Sequence, residues 1–205
     1  MNKLVAGIDE VGRGALAGPL LVGAVADRGL EKLVPELLAV MGIAAMRDSK
    51  KLTLNQRERA FAFLERKIDW SLGEVSAGEI DELGLGSAIR IAAGRALDGL
   101  KARPFLTSVL ADASLFHSYE AELATKRFVK GDESILPISL ASVMAKVVRD
   151  RRMKELAIAF PHYGWTSNVG YGTKAHFEGL RQAGETPEHR RLFLRRFSLD
   201  SGDKA

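Results

Sequence analysis

The sequence predicts an α/β domain, a sheet flanked by helices, and three observations predict it. Short apolar runs of strand length recur at residues 3–9, 18–27, 69–76 and 105–110. Between and after them lie segments with capping boxes or apolar residues at helical spacing. At 205 residues and 46% hydrophobic, with 6 prolines and no internal repeat or linker, the chain has the size and composition of one domain with a sizeable core. The expected limits are 1–197 for the domain and 198–205 for a disordered tail.

Leu4-Val5-Ala6-Gly7-Ile8-Asp9-Glu10 opens the sheet as an apolar strand that delivers two adjacent acids to its end, and Gly12-Arg13-Gly14 follows as a turn. Residues 18–27 form its antiparallel neighbour, and 30–47, Leu- and Ala-rich with Pro35 inside, read as an irregular helical connection. Thr53 with Gln56 starts a helix over about 54–67, and Ser76 with Glu79 starts a short one after the strand at 69–76. A further helix over about 86–100 carries Ile89, Ala92, Ala93, Ala96 and Leu97 at core spacing. The strand from Phe105 to Leu110 leads to Asp112, a polar excursion spans 114–125, and a short strand over 127–130 leads to Asp132. A long helix over about 138–159 has an Ala/Ser face suited to close packing on the sheet. The aromatic, glycine-rich loop 161–173 then runs into a helix over 174–183 and a basic tail.

Lys and Arg number 30 against 26 Asp and Glu, a formal charge of +4 and a pI near 9.4, which permits a polyanionic partner without demanding one. The absence of cysteine excludes disulfides, thiolate zinc sites and cysteine nucleophiles. No stretch approaches the ~18 apolar residues of a membrane span. The chain enters its candidate site within ten residues, leaving no room for a cleavable leader, so a cytoplasmic protein is expected. Four histidines, His117, His162, His176 and His189, show no metal-ligand spacing, which argues against zinc. A monomer is expected, and neither a protein partner nor a sliding-clamp motif is evident.

Two acids side by side where a buried strand meets a loop call for a cation, because unpaired charge is costly to bury. A divalent metal is the natural choice. The glycines beside them let backbone approach a ligand closely, so their N–H groups and Arg13 can receive a phosphate oxygen. Three strands discharging acids at their ends, with Asp9, Glu10, Asp112 and Asp132, are how a metal site is assembled on a sheet. Metal beside phosphate suggests nuclease chemistry, for which Mg²⁺ needs few carboxylates and fills its shell with water and substrate oxygens.

Gly7-Ile8-Asp9-Glu10-Val11-Gly12-Arg13-Gly14 resembles the signature of the type 2 ribonucleases H, ribonuclease HII in particular, and four later motifs in the expected order extend the resemblance to about residue 197. It implies a ribonuclease H-like mixed β-sheet flanked by helices with a small helical C-terminal part. It implies Mg²⁺ or Mn²⁺ at a two-metal site held by Asp9, Glu10, Asp112 and Asp132. The substrates implied are RNA–DNA hybrids, cut in the RNA strand, and duplex DNA nicked 5′ of a single embedded ribonucleotide, as in ribonucleotide and primer removal. Ala113 stands where the family usually has glycine after the third acid. Asp150 is the rival fourth acid, though with Arg149, Arg151 and Arg152 beside it an ion-paired helix residue is the preferred reading.

The resemblance also makes Tyr171 and the backbone of Gly12, Arg13 and Gly14 the grip on the junction where RNA passes into DNA, and Val169 replaces a lysine often found before that tyrosine. Asp48-Ser49-Lys50-Lys51-Leu52 is a second hallmark, which places Ser49, Lys50 and Lys51 at the nucleic-acid backbone. Lys130, Lys146, Lys174 and the arginines near the C-terminus, Arg190 among them, are further candidate phosphate contacts. His176 and His189 are read as either substrate-facing or architectural. Two alternatives remain open: a ribonuclease HIII-like enzyme, disfavoured by the Gly-Arg-Gly turn and the lack of a preceding binding domain, and a catalytically silent nucleic-acid-binding module.

Overall fold

β1 (Leu4–Val11) occupies the centre of a five-stranded sheet because it is the strand whose neighbours on both sides are themselves apolar. β2 (Leu20–Ala26), buried along its whole length, pairs with it antiparallel. The computed structural model describes residues 4–45, 51–112, 115 and 123–195. A 3₁₀ turn at Leu30–Leu33 leads into α1 (Val34–Met41), where Pro35 sits in the first turn and needs no donor. α2 (Leu54–Leu64) and β3 (Trp70–Val75) follow. Both expected capping boxes form, at Thr53 for α2 and at Ser76 for α3 (Ala77–Asp98). Gly84, with φ 75° and ψ 157°, kinks α3, so the two helices expected around it run together as one bent element.

β4 (Leu106–Asp112) lies parallel to β1, and β5 (Ala124–Phe128) parallel to β4, giving the order β3-β2-β1-β4-β5. The short α4 (Gly131–Ser134) and the long α5 (Leu136–Ala159) come next. α6 (Trp165–Asn168), α7 (Lys174–Ala183) and α8 (Arg191–Leu194) make the helical C-terminal part. The sheet is mixed and helices flank it, as the sequence predicts. Among the described residues no helix is long and apolar enough to cross a membrane.

One core lies between the sheet and α3, with Ala6, Ile8, Val22 and Val109 facing Ile89, Ala92, Ala93 and Ala96. A second lies on the other face, where Val25 meets α1, α2 and Leu140, Val143 and Met144 of α5. α5 approaches unusually closely. A Cβ on Gly7 would stand 2.3 Å from the Pro137 carbonyl carbon, and one on Gly23 would stand 2.4 Å from the Ala141 oxygen, so bare strand backbone is what admits the helix. A third core, with Leu16, Ala17, Met153, Tyr163, Trp165, Leu180 and Leu194, joins the C-terminal helices to the start of the chain.

Two expectations about elements need correction. The strand placed at 127–130 is β5 at Ala124–Phe128, and it ends before Asp132. Lys130 takes a left-handed conformation, φ 55°, which breaks the extended chain and starts α4, so Asp132 comes from a helical turn; β4 alone ends on its acid, Asp112, while β1 runs past Asp9 and Glu10 to Val11. Most of the polar excursion at 114–125, Ala113, Ser49, Lys50 and the tail expected to be disordered lie outside the described residues.

A carboxylate cleft and the turn beside it

The parallel register of β1 on β4 pairs Ile8 with Ala111, so where this pairing stops Asp9, inside β1, lies beside Asp112, the last residue of β4. Asp9 shares the α5 face of β1 with Gly7, two residues earlier, and the space Gly7 leaves lets α5 bring Ser142 to Asp9, where its side chain hydrogen-bonds the carboxyl. Asp112 accepts a hydrogen bond from the Gly131 N–H at 2.9 Å, which ties the end of β4 to the turn carrying Asp132. Asp9 and Asp132 are both buried.

Burial raises the Asp9 carboxyl well above its ordinary value. The charges of Glu10, Asp132 and Asp112 push the same way, and the Ser142 hydrogen bond opposes them. The four candidate acids therefore share one electrostatic neighbourhood that favours a cation or a proton. Among the described residues, no group of three or more His, Asp or Glu converges into a ready-made metal cage. An open, all-oxygen set suits a hard ion such as Mg²⁺ or Mn²⁺, which takes one or two carboxylates and completes its shell with water and phosphate oxygens.

Asp9, Glu10, Val11, Gly12, Arg13, Ser142, Lys146 and Tyr171 line a cleft of about 320 Å³. Lys146 reaches into it while its ammonium lies 2.7 Å from Asp150, whose other oxygen is 3.7 Å from Arg57. Asp150 is thus an ion-paired helix residue, with Lys146 and Arg57 as partners rather than the neighbouring arginines. Arg151 instead pairs with Glu58, and Arg149 turns inward. Arg13 lies 3.5 Å from Glu10. Lys51 and Lys130 flank Glu133 at 4.0 and 3.5 Å, next to Asp132, and Lys174 is exposed at the start of α7. A larger depression of about 460 Å³, lined by Asp81, Glu82, His189, Arg191 and Arg195 among others, contains none of the four acids.

Tyr171 is 38% exposed, and its ring edge would lie 3.9 Å from a Cβ on Gly14, in van der Waals reach of the turn. Asn168, which the sequence reading passed over, holds this loop. Its amide donates to the Tyr163 carbonyl at 2.8 Å and its oxygen accepts from Gly170 N–H at 2.9 Å. Val169 sits at φ 45°, a left-handed conformation rare for a β-branched residue, and its carbonyl accepts from Arg149 at 2.9 Å.

His176 and His189 are both buried and hydrogen-bonded to each other and to the loops around them. His189 Nδ1 accepts from the Thr186 N–H at 2.9 Å, so its proton is on Nε2, which faces His176 Nε2 at 3.1 Å. His176 Nε2 also accepts from the Trp165 indole at 3.1 Å, and its Nδ1 donates to the Tyr171 carbonyl at 3.0 Å. Both rings are therefore neutral. Arg190, one of the candidate phosphate contacts, is fully buried. A buried guanidinium looks no different in sequence from the exposed ones around it.

A family model described as ribonuclease HII matches residues 6–199. Ribonuclease HII of Paracoccus denitrificans is 42% identical over 192 residues, spanning 93% of this chain and 85% of that protein. The crystal structure of ribonuclease H2 from Pyrococcus horikoshii superposes with a TM-score of 0.70 at 29% identity, over 94% of this chain and 96% of that one. The ribonuclease HII of Archaeoglobus fulgidus, solved in complex with PCNA, has the same fold, with a TM-score of 0.74 at 23% identity over 98% of each chain. With Asp9, Glu10, the glycine turn and the loop tyrosine around one cleft, and with a family match across nearly its whole length, the chain belongs to the ribonuclease HII family and is a ribonuclease H.

Proposed function

We propose that this enzyme cuts the RNA strand of RNA–DNA hybrids and nicks duplex DNA 5′ of a single embedded ribonucleotide, leaving 3′-hydroxyl and 5′-phosphate ends. The observation that carries this reading is the placement of Asp9 among Glu10, Asp112 and Asp132, with a raised proton affinity, in reach of a cleft that Tyr171 and the Gly12-Arg13-Gly14 turn also line. Two divalent ions held by these carboxylates would lower the pKa of the attacking water and stabilise the leaving 3′ oxygen.

The chain's own residues do the rest. Ser142 fixes the Asp9 carboxyl, and Lys146 offers a cation to phosphate from the cleft wall. Tyr171 presents a flat ring for a sugar or base and a hydroxyl to a polar partner, and the turn's amides receive phosphate. Sensing the 2′-hydroxyl there distinguishes RNA from DNA. Ser49, Lys50, Lys51 and Lys174 track the backbone without reading sequence.

The test is a DNA duplex carrying one ribonucleotide, incubated with Mg²⁺, with Mn²⁺ and with chelator beside an all-DNA control. A metal-dependent nick 5′ of the ribonucleotide is expected. Cutting of long hybrids alone would favour a ribonuclease HIII-like preference, and binding without any nick would mean a silent module.

A further inference from the structure

We infer that Arg190 is a positioning residue for substrate recognition, which aims the backbone donors of the Gly12-Arg13-Gly14 turn by gripping its carbonyls from inside the protein. This rests on the turn serving as the phosphate grip proposed above.

The chain brings Arg190 to the turn by a short antiparallel run. Ala17 bridges to His189, Gly18 N–H donates to the Glu188 carbonyl at 2.8 Å, and Arg190 N–H donates to the Leu16 carbonyl at 2.8 Å. The side chain then passes under the turn. Its Nη1 donates to the Gly12 carbonyl at 2.6 Å and to the Arg13 carbonyl at 3.2 Å, while Nε and Nη2 both reach the Gly18 carbonyl, at 3.0 and 2.9 Å.

In a trans peptide the C=O and the following N–H point in opposite directions, and the described chain has no cis bonds. Drawing the Gly12 and Arg13 oxygens inward therefore turns the N–H groups of Arg13 and Gly14 outward. Gly12 makes the geometry possible. Its φ of 85° suits glycine, and a Cβ there would stand 2.1 Å from Arg149 Nε, so a second buried guanidinium lies directly beneath it. Arg149 holds the opposite wall, donating to the Pro19, Ala17 and Val169 carbonyls and lying 5.7 Å from the Tyr171 ring centre.

Among the described residues neither guanidinium forms a salt bridge, and carbonyl dipoles solvate both cations. Burial, and Arg149 beside it, pull Arg190 down to about 9, with Tyr171 and Asp81 opposing, so it keeps its proton at neutral pH. The residue type follows from the task. A guanidinium presents donors on three atoms in a fixed fork and spans two sets of carbonyls, whereas a lysine ammonium presents its donors from one point.

Arg190→Lys tests this by keeping the charge and losing the fork. The readout is the ratio of kcat/KM on a duplex with one ribonucleotide to kcat/KM on a continuous RNA–DNA hybrid, a ratio that does not change with the fraction of folded enzyme. It should fall about tenfold, the worth of one charge-assisted hydrogen bond, through a higher KM on the single-ribonucleotide duplex. The kcat values should stay within about twofold. Tyr163→Phe is the structural control, because it removes a hydrogen bond to the Gly184 carbonyl from the same buried region without touching the turn, and it should leave the ratio unchanged.

Wild-type enzyme with no preference for the ribonucleotide duplex over all-DNA would sink the underlying reading before Arg190 is considered. A wild type that discriminates and an Arg190→Lys variant with the same ratio would overturn the inference alone. If the variant does not fold, the wild type decides in chelator. The amide resonances of Arg13 and Gly14 should shift on adding the ribonucleotide duplex, and amides that stay put would reject the assignment.

Discussion

Acid should loosen this protein through His189 and His176 in a way that can be isolated. Burial, with His176 beside it, lowers His189 from 6.5 to about 4, and His176 is lowered too, mainly by burial. Between those two values the unfolded chain takes up a proton that the folded one refuses, so stability falls as pH drops through 6.5 and levels off below about 4. For His189, going from pH 7 to pH 5 amounts to about 2 kcal/mol from this lowering, and about 1 kcal/mol after discounting for solvent screening from the adjoining depression. Asp9 acts with the opposite sign, since its raised value makes the folded state the better proton acceptor. The measurement is therefore a difference. Urea unfolding in chelator at pH 7 and pH 5 is compared between wild type and His189→Gln, which keeps a donor and an acceptor but cannot protonate. The wild type should lose about 1 kcal/mol more than the variant. Equal losses would refute the reasoning and with it the assignment of two neutral rings.

Further outcomes are expected elsewhere. Asp9→Asn should cut cleavage by at least about a hundredfold while raising metal-free stability, read by activity and denaturation in chelator, because it removes a charge buried among like charges. Mg²⁺ at about a hundred times its Kd should stabilise the wild type by about 2.7 kcal/mol in a thermal melt, and the gain should shrink sharply in Asp9→Asn. Gly7→Ala should cost about 1–3 kcal/mol, since its methyl would collide with the α5 backbone at Pro137, and denaturant midpoints would show it.

Much of this was readable from residues alone because local rules and tertiary demands agree. β1 is apolar until its acids, both capping boxes are complete in four residues, and Pro35 sits where a helix start tolerates it. The positions that resisted are those where distant contacts overrule local preference. Lys130 and Val169 adopt left-handed backbone that no lysine or valine advertises, and the first of these moved Asp132 from a strand end to a helical turn. Arg149, Arg190, His176 and His189 look like ordinary polar residues of a basic segment. Their burial is set by packing among Leu16, Ala17, Trp165 and Tyr163, which no window of sequence contains.

The hold of Arg190 on Gly12 spans 178 positions of the chain. During synthesis the first acids, their strand partners and even α5 leave the ribosome well before the residue that shapes the grip. On that inference, a nascent or truncated polypeptide would carry the carboxylates without the means to choose where they act. If Arg190 shapes the grip as inferred, selectivity is the last property to mature, and loss of the final folded segment should blunt recognition before it dismantles the sheet.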